Sequence, residues 1–454
     1  MDRRFWRERR LTLLLVVATV GGLAASPSAW AAGGSAAPVV PLTAENWEAR
    51  TQLQQTLFAP VGEAAARRPV IVSQEQGAAQ VSFQVQSAGG AVFFVFANQE
   101  GKTFPLVGTG TFIIKRSLKD GALLQAKVFV QDDEGSFLRL FPQGDRSTMD
   151  IFLYGEPYQA GVELPLPLDR LLTSPLERIV SLTRGSVDWS LVFPPSQQEG
   201  DVRISDIVRA LRPRLPKLRD RDDGAMDVSG RLVLISTGKP DPKGGGGFNC
   251  SGFAKWVVDG FYHPLAERNI DIETLRAQSQ EERGGRWTGP FEEERDPFFG
   301  LDWTRNLARD LAEARDGTMP DVTDLDVRDA TRFAYVKDAG YPVGQLRPLL
   351  YFLARRAPGT IYLGSVNAAG PAPLVAPAPA GAPGSAPVGA PIMRQHHHVV
   401  VLFPYFDAQG VFRLVVMERN VETSSESLAR RYPGELVHLV RLDSTGTFVP
   451  PSIE

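Results

Sequence analysis

Four consecutive glycines, Gly244–Gly247, run straight into Phe248-Asn249-Cys250-Ser251-Gly252-Phe253-Ala254-Lys255-Trp256, and no other stretch limits the fold so tightly. A glycine run has no side chains to pack and can turn where other residues cannot. Immediately after it, Phe253, Trp256 and Val257 recur at helical spacing. The chain must therefore pass from a loop into an amphipathic helix within a few residues, with Cys250 at or just before the first turn. Unpaired backbone N–H groups and the positive end of the helix dipole favour a thiolate at that position. Glycines also let a substrate backbone come close, so Gly246, Gly247 and the neighbouring Ser251 are candidate substrate contacts. Cys250 is the only cysteine, which excludes an intramolecular disulfide. A lone cysteine is also compatible with a small buried hydrophobe, so the nucleophile reading depends on partners elsewhere in the chain.

With 454 residues the chain is long enough for two or three domains. A hydrophobic fraction of 43% supports extensive cores, and a net charge of -3 argues against a general nucleic-acid binder. The first residues read as an export signal, residues 1–31. Arg3, Arg4, Arg7, Arg9 and Arg10 precede the apolar run Leu11–Ala25, and Ala29-Trp30-Ala31 is a small-x-small cleavage site. The run is short for a membrane span, although an uncleaved anchor is the competing reading. No later stretch is long and apolar enough to cross a bilayer, so the expected location is periplasmic or extracellular, without stable membrane insertion after cleavage.

Residues 38–195 alternate mostly with period two. Val81, Phe83 and Val85 face one way, and Ala91–Phe96, Thr111–Ile114, Lys127–Val130 and Phe137–Phe141 follow as short strands. This predicts an all-β, sandwich-like domain. Asp132, Asp133 and Glu134 fit a hairpin turn better than a calcium loop. Residues 196–454 are mixed. Val202–Leu211 has helical spacing ended by Pro213 and Pro216, and Arg231–Ile235 is a short strand leading to the glycines. Residues 263–344 read as a helical insertion, with helices expected at Ile270–Gln280 and Thr304–Ala314 and a solvated charge run at Glu292–Glu294. A further helix is expected at Leu346–Arg355. Thr360–Leu363 is a strand, and residues 366–394 form a Pro/Ala-rich loop without periodicity. Then His396-His397-His398 leads into Val399–Phe403, a turn at Asp407–Gly410, and Val411–Met417.

A cysteine hydrolase needs a thiolate, an imidazole to move protons, and a polar group to orient the imidazole. Cys250, His398 and either Glu418 or Asn420 occur in that chain order. A two-residue turn at Ala408-Gln409 would set Arg419 opposite His398. An odd loop or a bulge would bring Glu418 or Asn420 there instead. Strand alternation puts His396 and His398 on one face, which also admits a zinc or nickel site. No further ligand motif accompanies them, and no metal or cofactor is expected. Trp287, Trp303 and Tyr335 suit either a cleft or a core.

The run Gly246–Phe253 resembles the nucleophile motif Asp-Cys-Ser-Gly-Phe of the NlpC-type papain-like cell-wall cysteine peptidases, with Asn249 in the place of the aspartate. Pro358-Gly359-Thr360-Ile361-Tyr362 resembles the strand before that family's histidine, His398-Val399-Val400-Val401 its histidine strand, and Glu418-Arg419-Asn420 the Glu-x-Asn of the related CHAP amidases. The resemblance implies an α+β, papain-like catalytic domain with Cys250 as nucleophile, His398 as base and Glu418 or Asn420 as orienter. It also implies cleavage of an amide in peptidoglycan stem peptides. Two other classes fit the residues: a non-catalytic envelope binding protein on the same scaffold, and a metal-binding envelope protein using the histidine cluster.

Overall fold

In the computed structural model, residues 40–41, 44–193, 196–242, 244–279, 296–369 and 394–453 are described. The export-signal residues, Trp287, the charge run Glu292–Glu294 and residues 370–393 of the Pro/Ala-rich segment lie outside them. Residues from Val39 onward form one compact unit of mixed α and β structure.

The first half builds one antiparallel sheet in strict chain order. Its strands are β1 (Val70–Ser73), β2 (Gln80–Ala88), β3 (Ala91–Asn98), β4 (Phe112–Ser117), β5 (Leu123–Phe129), β6 (Phe137–Gln143), β7 (Arg146–Leu153) and β8 (Glu156–Leu164). The expected sandwich of two sheets is thus a single eight-stranded meander. Local alternation marks which face of each strand is apolar but not which strands pair, and here every hairpin simply closes on its neighbour. Nor is this half all-β. Short helices at Trp47–Gln52, Gln54–Phe58, Val61–Ala65, Leu168–Leu172 and Leu176–Thr183 accompany the sheet. Arg50 ties two of these segments together. Its buried guanidinium pairs with Glu45 at 3.1 Å, donates to Ser174 O at 3.0 Å and lies 3.9 Å from the centre of the Phe112 ring. The acidic turn is held by its own bonds: Asp132 accepts from Thr109 N and Oγ1, and Asp133 accepts from Gly135 N and Ser136 Oγ.

The second half places a two-stranded hairpin, β9 (Gly224–Met226) and β10 (Leu232–Leu234), before a six-stranded antiparallel sheet. The sheet order is β11 (Tyr341–Pro342), β16 (Leu436–Asp443), β12 (Thr360–Ala369), β13 (Arg394–Phe406), β14 (Phe412–Glu418) and β15 (Val421–Thr423). Both faces are buried, which explains why Val399–Phe403 reads as an unbroken apolar run rather than an alternating one. Val400, Leu402, Val366 and Leu439 join a core shared with the helix Leu346–Arg356 and the whole first sheet. Val399, Val401, Phe403, Leu363 and Val440 face the other way, onto the cysteine helix Cys250–Ala266 and the helix Phe299–Asp316.

The cysteine helix is buried on all sides from Ser251 to Tyr262, so the expected amphipathic helix is instead a central one. Its charged pair, Lys255 and Asp259, neutralises itself inside at 2.6 Å. Gly252 permits the tightest approach, because a Cβ there would collide with the Gly224 carbonyl. Among its described residues, the 263–344 region is only partly helical. Ile270–Gln280 shrinks to Ile272–Leu275, while Thr304–Ala314 lies within Phe299–Asp316. The latter helix packs on the central layers, with Trp303, Leu307 and Leu311 in the core.

The shared core makes the expected boundary near residue 195 a change of architecture within one packed body. Residues 40–193 expressed alone should therefore expose apolar surface and aggregate or melt far below the full chain. Calorimetry of the full chain should show one cooperative transition; two independent ones would refute the shared core.

Candidate active site

Asn249 ends the glycine loop with extended backbone, and its Oδ1 accepts from Gly252 N at 2.7 Å. This is an N-cap, so the amide at this position does the helix-starting work of an aspartate without adding negative charge beside the sulfur. Cys250 follows as the first helical residue and is half-buried.

The histidine triplet does not alternate as a regular strand would. Val366 pairs with His398 and Asn367 with His396, so His397 is an extra residue, a β-bulge. The three rings consequently meet three different surroundings. His396 is buried and bonds through Nδ1 to Ser365 Oγ at 2.9 Å. His397 turns outward to Glu435 at 2.8 Å. His398 is buried near Cys250 and Glu418: its Nε2 bonds Glu418 Oε2, and the ring and the cysteine shift one another's ionisation. His396 and His398 thus serve separate networks, and among the described residues no three His, Cys, Asp or Glu side chains are grouped to hold a metal.

The hairpin register explains why Glu418 is the partner. Phe406 pairs with Phe412, which leaves the odd-length loop Asp407–Val411 and sets Val401 against Met417. Carried onward, this register puts Asn420 across from His398. The strand ends first, however: Glu418 pairs with Val421 in a two-residue turn at Arg419–Asn420. Asn420 is drawn away and donates from Nδ2 to Leu218 O at 3.2 Å. Glu418, the diagonal neighbour on the same strand face, reaches the imidazole instead. Arg431, at the end of the helix Ser425–Arg431, grips the second carboxylate oxygen. No periodicity or motif ties Arg431 to Glu418, and only the folded chain reveals it.

The charges reinforce one another. Burial pushes the Cys250 thiol up, but the His398 hydrogen bond and charge, a bond from the Val399 backbone and the Arg419 charge outweigh it, and the net direction is down. Burial pulls His398 down, yet its bonds to Cys250 and Glu418 raise it to about 9. Burial raises Glu418, and His398 with Arg431 bring it below the ordinary value. Each shift favours the charged form of its group, in the direction of a thiolate–imidazolium pair backed by a carboxylate.

The expected substrate contacts face the protein's own chain. A Cβ on Gly246 would lie 2.5 Å from Leu232 Cβ, and one on Gly247 2.5 Å from Arg219 O, so both glycines allow close packing of the loop. Ser251 is buried, and its carbonyl accepts from Trp303 Nε1 at 2.9 Å. Trp303 is therefore a core residue, and Tyr335 packs against Tyr341. Gly244 and Gly245 remain exposed, both with left-handed φ. So does part of Arg419, whose φ of +52° is a conformation that costs a non-glycine residue roughly 1–2 kcal/mol.

Residues 41–191 match the family described as Domain of unknown function (DUF8515). That stretch comprises the first sheet with its helices and stops short of every residue of the cysteine site. No curated protein matches the chain, and no solved structure matches it.

Two substitutions test this geometry. Glu418→Gln removes the charge that raises His398, so the imidazole, protonated below about 9 in the parent, should lose its proton roughly 1–3 pH units lower. Titration by NMR of carbon-labelled histidine reads the shift directly, and an unmoved ring would exclude Glu418 as its partner. Asn249→Ala should lower stability by about 1 kcal/mol through loss of the cap, measured by urea unfolding.

Proposed function

We propose that the protein is a thiol hydrolase that cleaves an amide bond, with Cys250 as nucleophile, His398 as acid–base and Glu418 as the group orienting His398. One observation carries the reading: a single buried imidazole bonds a buried carboxylate and stands close enough to a helix-start cysteine to draw its thiol down. Neither partner has that arrangement by sequence proximity, and each interaction strengthens the other.

The chemistry follows from the charge states. The Cys250 thiolate attacks the carbonyl carbon, and the electron pair of the C=O moves onto oxygen. The Cys250 backbone N–H, at the positive end of the helix, stabilises that oxyanion. As the tetrahedral centre collapses the C–N bond breaks, and the His398 imidazolium gives its proton to the departing amine. Neutral His398 then takes a proton from water, whose oxygen attacks the thioester. The carboxylic acid leaves, and the thiolate–imidazolium pair is restored. Glu418 stays ionised throughout and holds the ring in one orientation, as the carboxylate of a serine triad does. Arg431 neutralises the outer oxygen of that carboxylate.

For the substrate, the resemblance of residues 246–253, 398–401 and 418–420 to cell-wall cysteine peptidases and amidases supports an amide of peptidoglycan stem peptides. The arginine-led apolar start of the chain supports action outside the cytoplasm. No helix among the described residues is long and apolar enough to cross a membrane.

Purified peptidoglycan incubated with the full chain should release fragments with new amine and carboxyl ends, identified by mass spectrometry. Cys250→Ala should abolish release with the melting temperature almost unchanged. Persistent cleavage by that variant would refute the assignment. Cys250 should also react with iodoacetamide well below a pH of about 8.5, where a free thiol is protonated.

A further inference from the structure

Arg419 occupies a position that ordinary turn chemistry does not give to arginine. It is the first residue of the two-residue link between β14 and β15, where positive φ favours Gly, Asn or Asp. Its long side chain reaches out of the turn to a neighbouring segment. The surrounding structure nevertheless fixes the turn from three directions. Asn420 bonds Leu218 O, Arg212 forks onto both oxygens of Glu422 at 2.7 and 2.8 Å, and Arg419 Nη1 bonds Asp220 Oδ2 at 2.8 Å. Asp220 belongs to the segment running beside the cysteine loop. It bridges to Phe248, whose N–H donates to Arg219 O at 2.9 Å and whose carbonyl accepts from Arg221 N at 3.0 Å. Arg419 is thus held on the rim of the nucleophile, joined through Asp220 to the residues before Cys250 and through Glu418 to His398.

The guanidinium is only partly used. Of its five N–H donors, one is engaged by Asp220, and the side chain is 41% exposed. Asp220, which bridges to Phe248 two residues before Cys250, holds one edge of the fork, and part of the remaining side chain is exposed. A planar fork with spare donors suits the two oxygens of a carboxylate, which it can bind bidentately. Asp220 and Asp222 offset the charge locally, so recognition here rests on close geometry, not on a long-range field.

We propose that Arg419 is a specificity-determining residue that binds a carboxylate on the substrate next to the bond attacked by Cys250, making the preferred substrates acidic peptides or amides. The substrate half of this proposal rests on the hydrolase reading above; the anion-recognition half requires only a reactive Cys250.

Two alkylating agents of nearly equal size separate these parts. Iodoacetate carries the carboxylate and iodoacetamide does not. In the full-length protein the ratio of their alkylation rates at Cys250 should fall about tenfold or more in Arg419→Asn, the scale of a lost hydrogen bond to a charged group. Asparagine tolerates the left-handed turn, so the fold is kept. Arg419→Lys retains the charge but not the fork and should recover only part of the ratio. A ratio unchanged in Arg419→Asn overturns the proposal. A second arm compares peptides with a free and an amidated carboxyl beside the scissile bond. The Asn variant should lose kcat/KM on the free acid by a similar factor beyond any loss it shows on the amidated peptide. Equal turnover of both peptides with and without Arg419 would refute the inference and leave the hydrolase intact. A lowered alkylation ratio with no turnover of either peptide or of peptidoglycan would refute the hydrolase reading and leave the anion site standing.

Discussion

Burial of both faces of the six-stranded sheet is the constraint on which the remaining structure depends. A strand such as β13 cannot turn a polar side to water, so its alternate residues must satisfy two different cores. One core is supplied by the first sheet and the helix Leu346–Arg356, the other by the cysteine helix and Phe299–Asp316. Each layer therefore fixes the plane of the next. The cysteine helix has no freedom to rotate, because Gly252 abuts Gly224 on one side and Trp303 grips the Ser251 carbonyl on another. A sulfur at the start of such a helix is held in place by the surrounding core.

The site uses this rigidity to hold charges that would be unfavourable if any one stood alone. Burial alone would favour the neutral forms of Glu418, His398 and Cys250, and in each case the neighbouring groups push the opposite way. Arg431 closes the series at the solvent edge. The bulge at His397 is what allows it, since an unbroken strand would give His396 and His398 the same surroundings. Instead His396 sinks toward Ser365 while His398 meets the cysteine and the glutamate. The separation of the two rings thus sits at a local departure from regular pairing.

Much of this was legible beforehand, and the remainder was hidden for identifiable reasons. The helix after Cys250, the strand after His398 and the hairpin to Glu418 each announce themselves by short-range periodicity. Choosing between Glu418 and Asn420 required a loop length and the point where β14 ends, and only the observed register supplies these. The apolar stretch Leu436–Leu442 carries no alternation, because both faces of β16 are buried; its central place in the sheet has no local signature. The same holds for the ion pairs from Arg305 to Asp326 and Asp338, which link distant segments under the sheet. Gly246 and Gly247 show the opposite case: residues with a plausible external role that the chain's own packing already requires.

The position of β16 carries a further consequence. This late strand inserts between β11 and β12, and residues beyond it run along the cysteine helix, with Val449 bonded to Gly260 and Trp256 to Pro451. During synthesis Cys250 and His398 emerge before the strand that completes the sheet beneath them. The surroundings of Cys250 and His398 are therefore completed only once residues 436–443 have paired with β11 and β12, late in the order of synthesis.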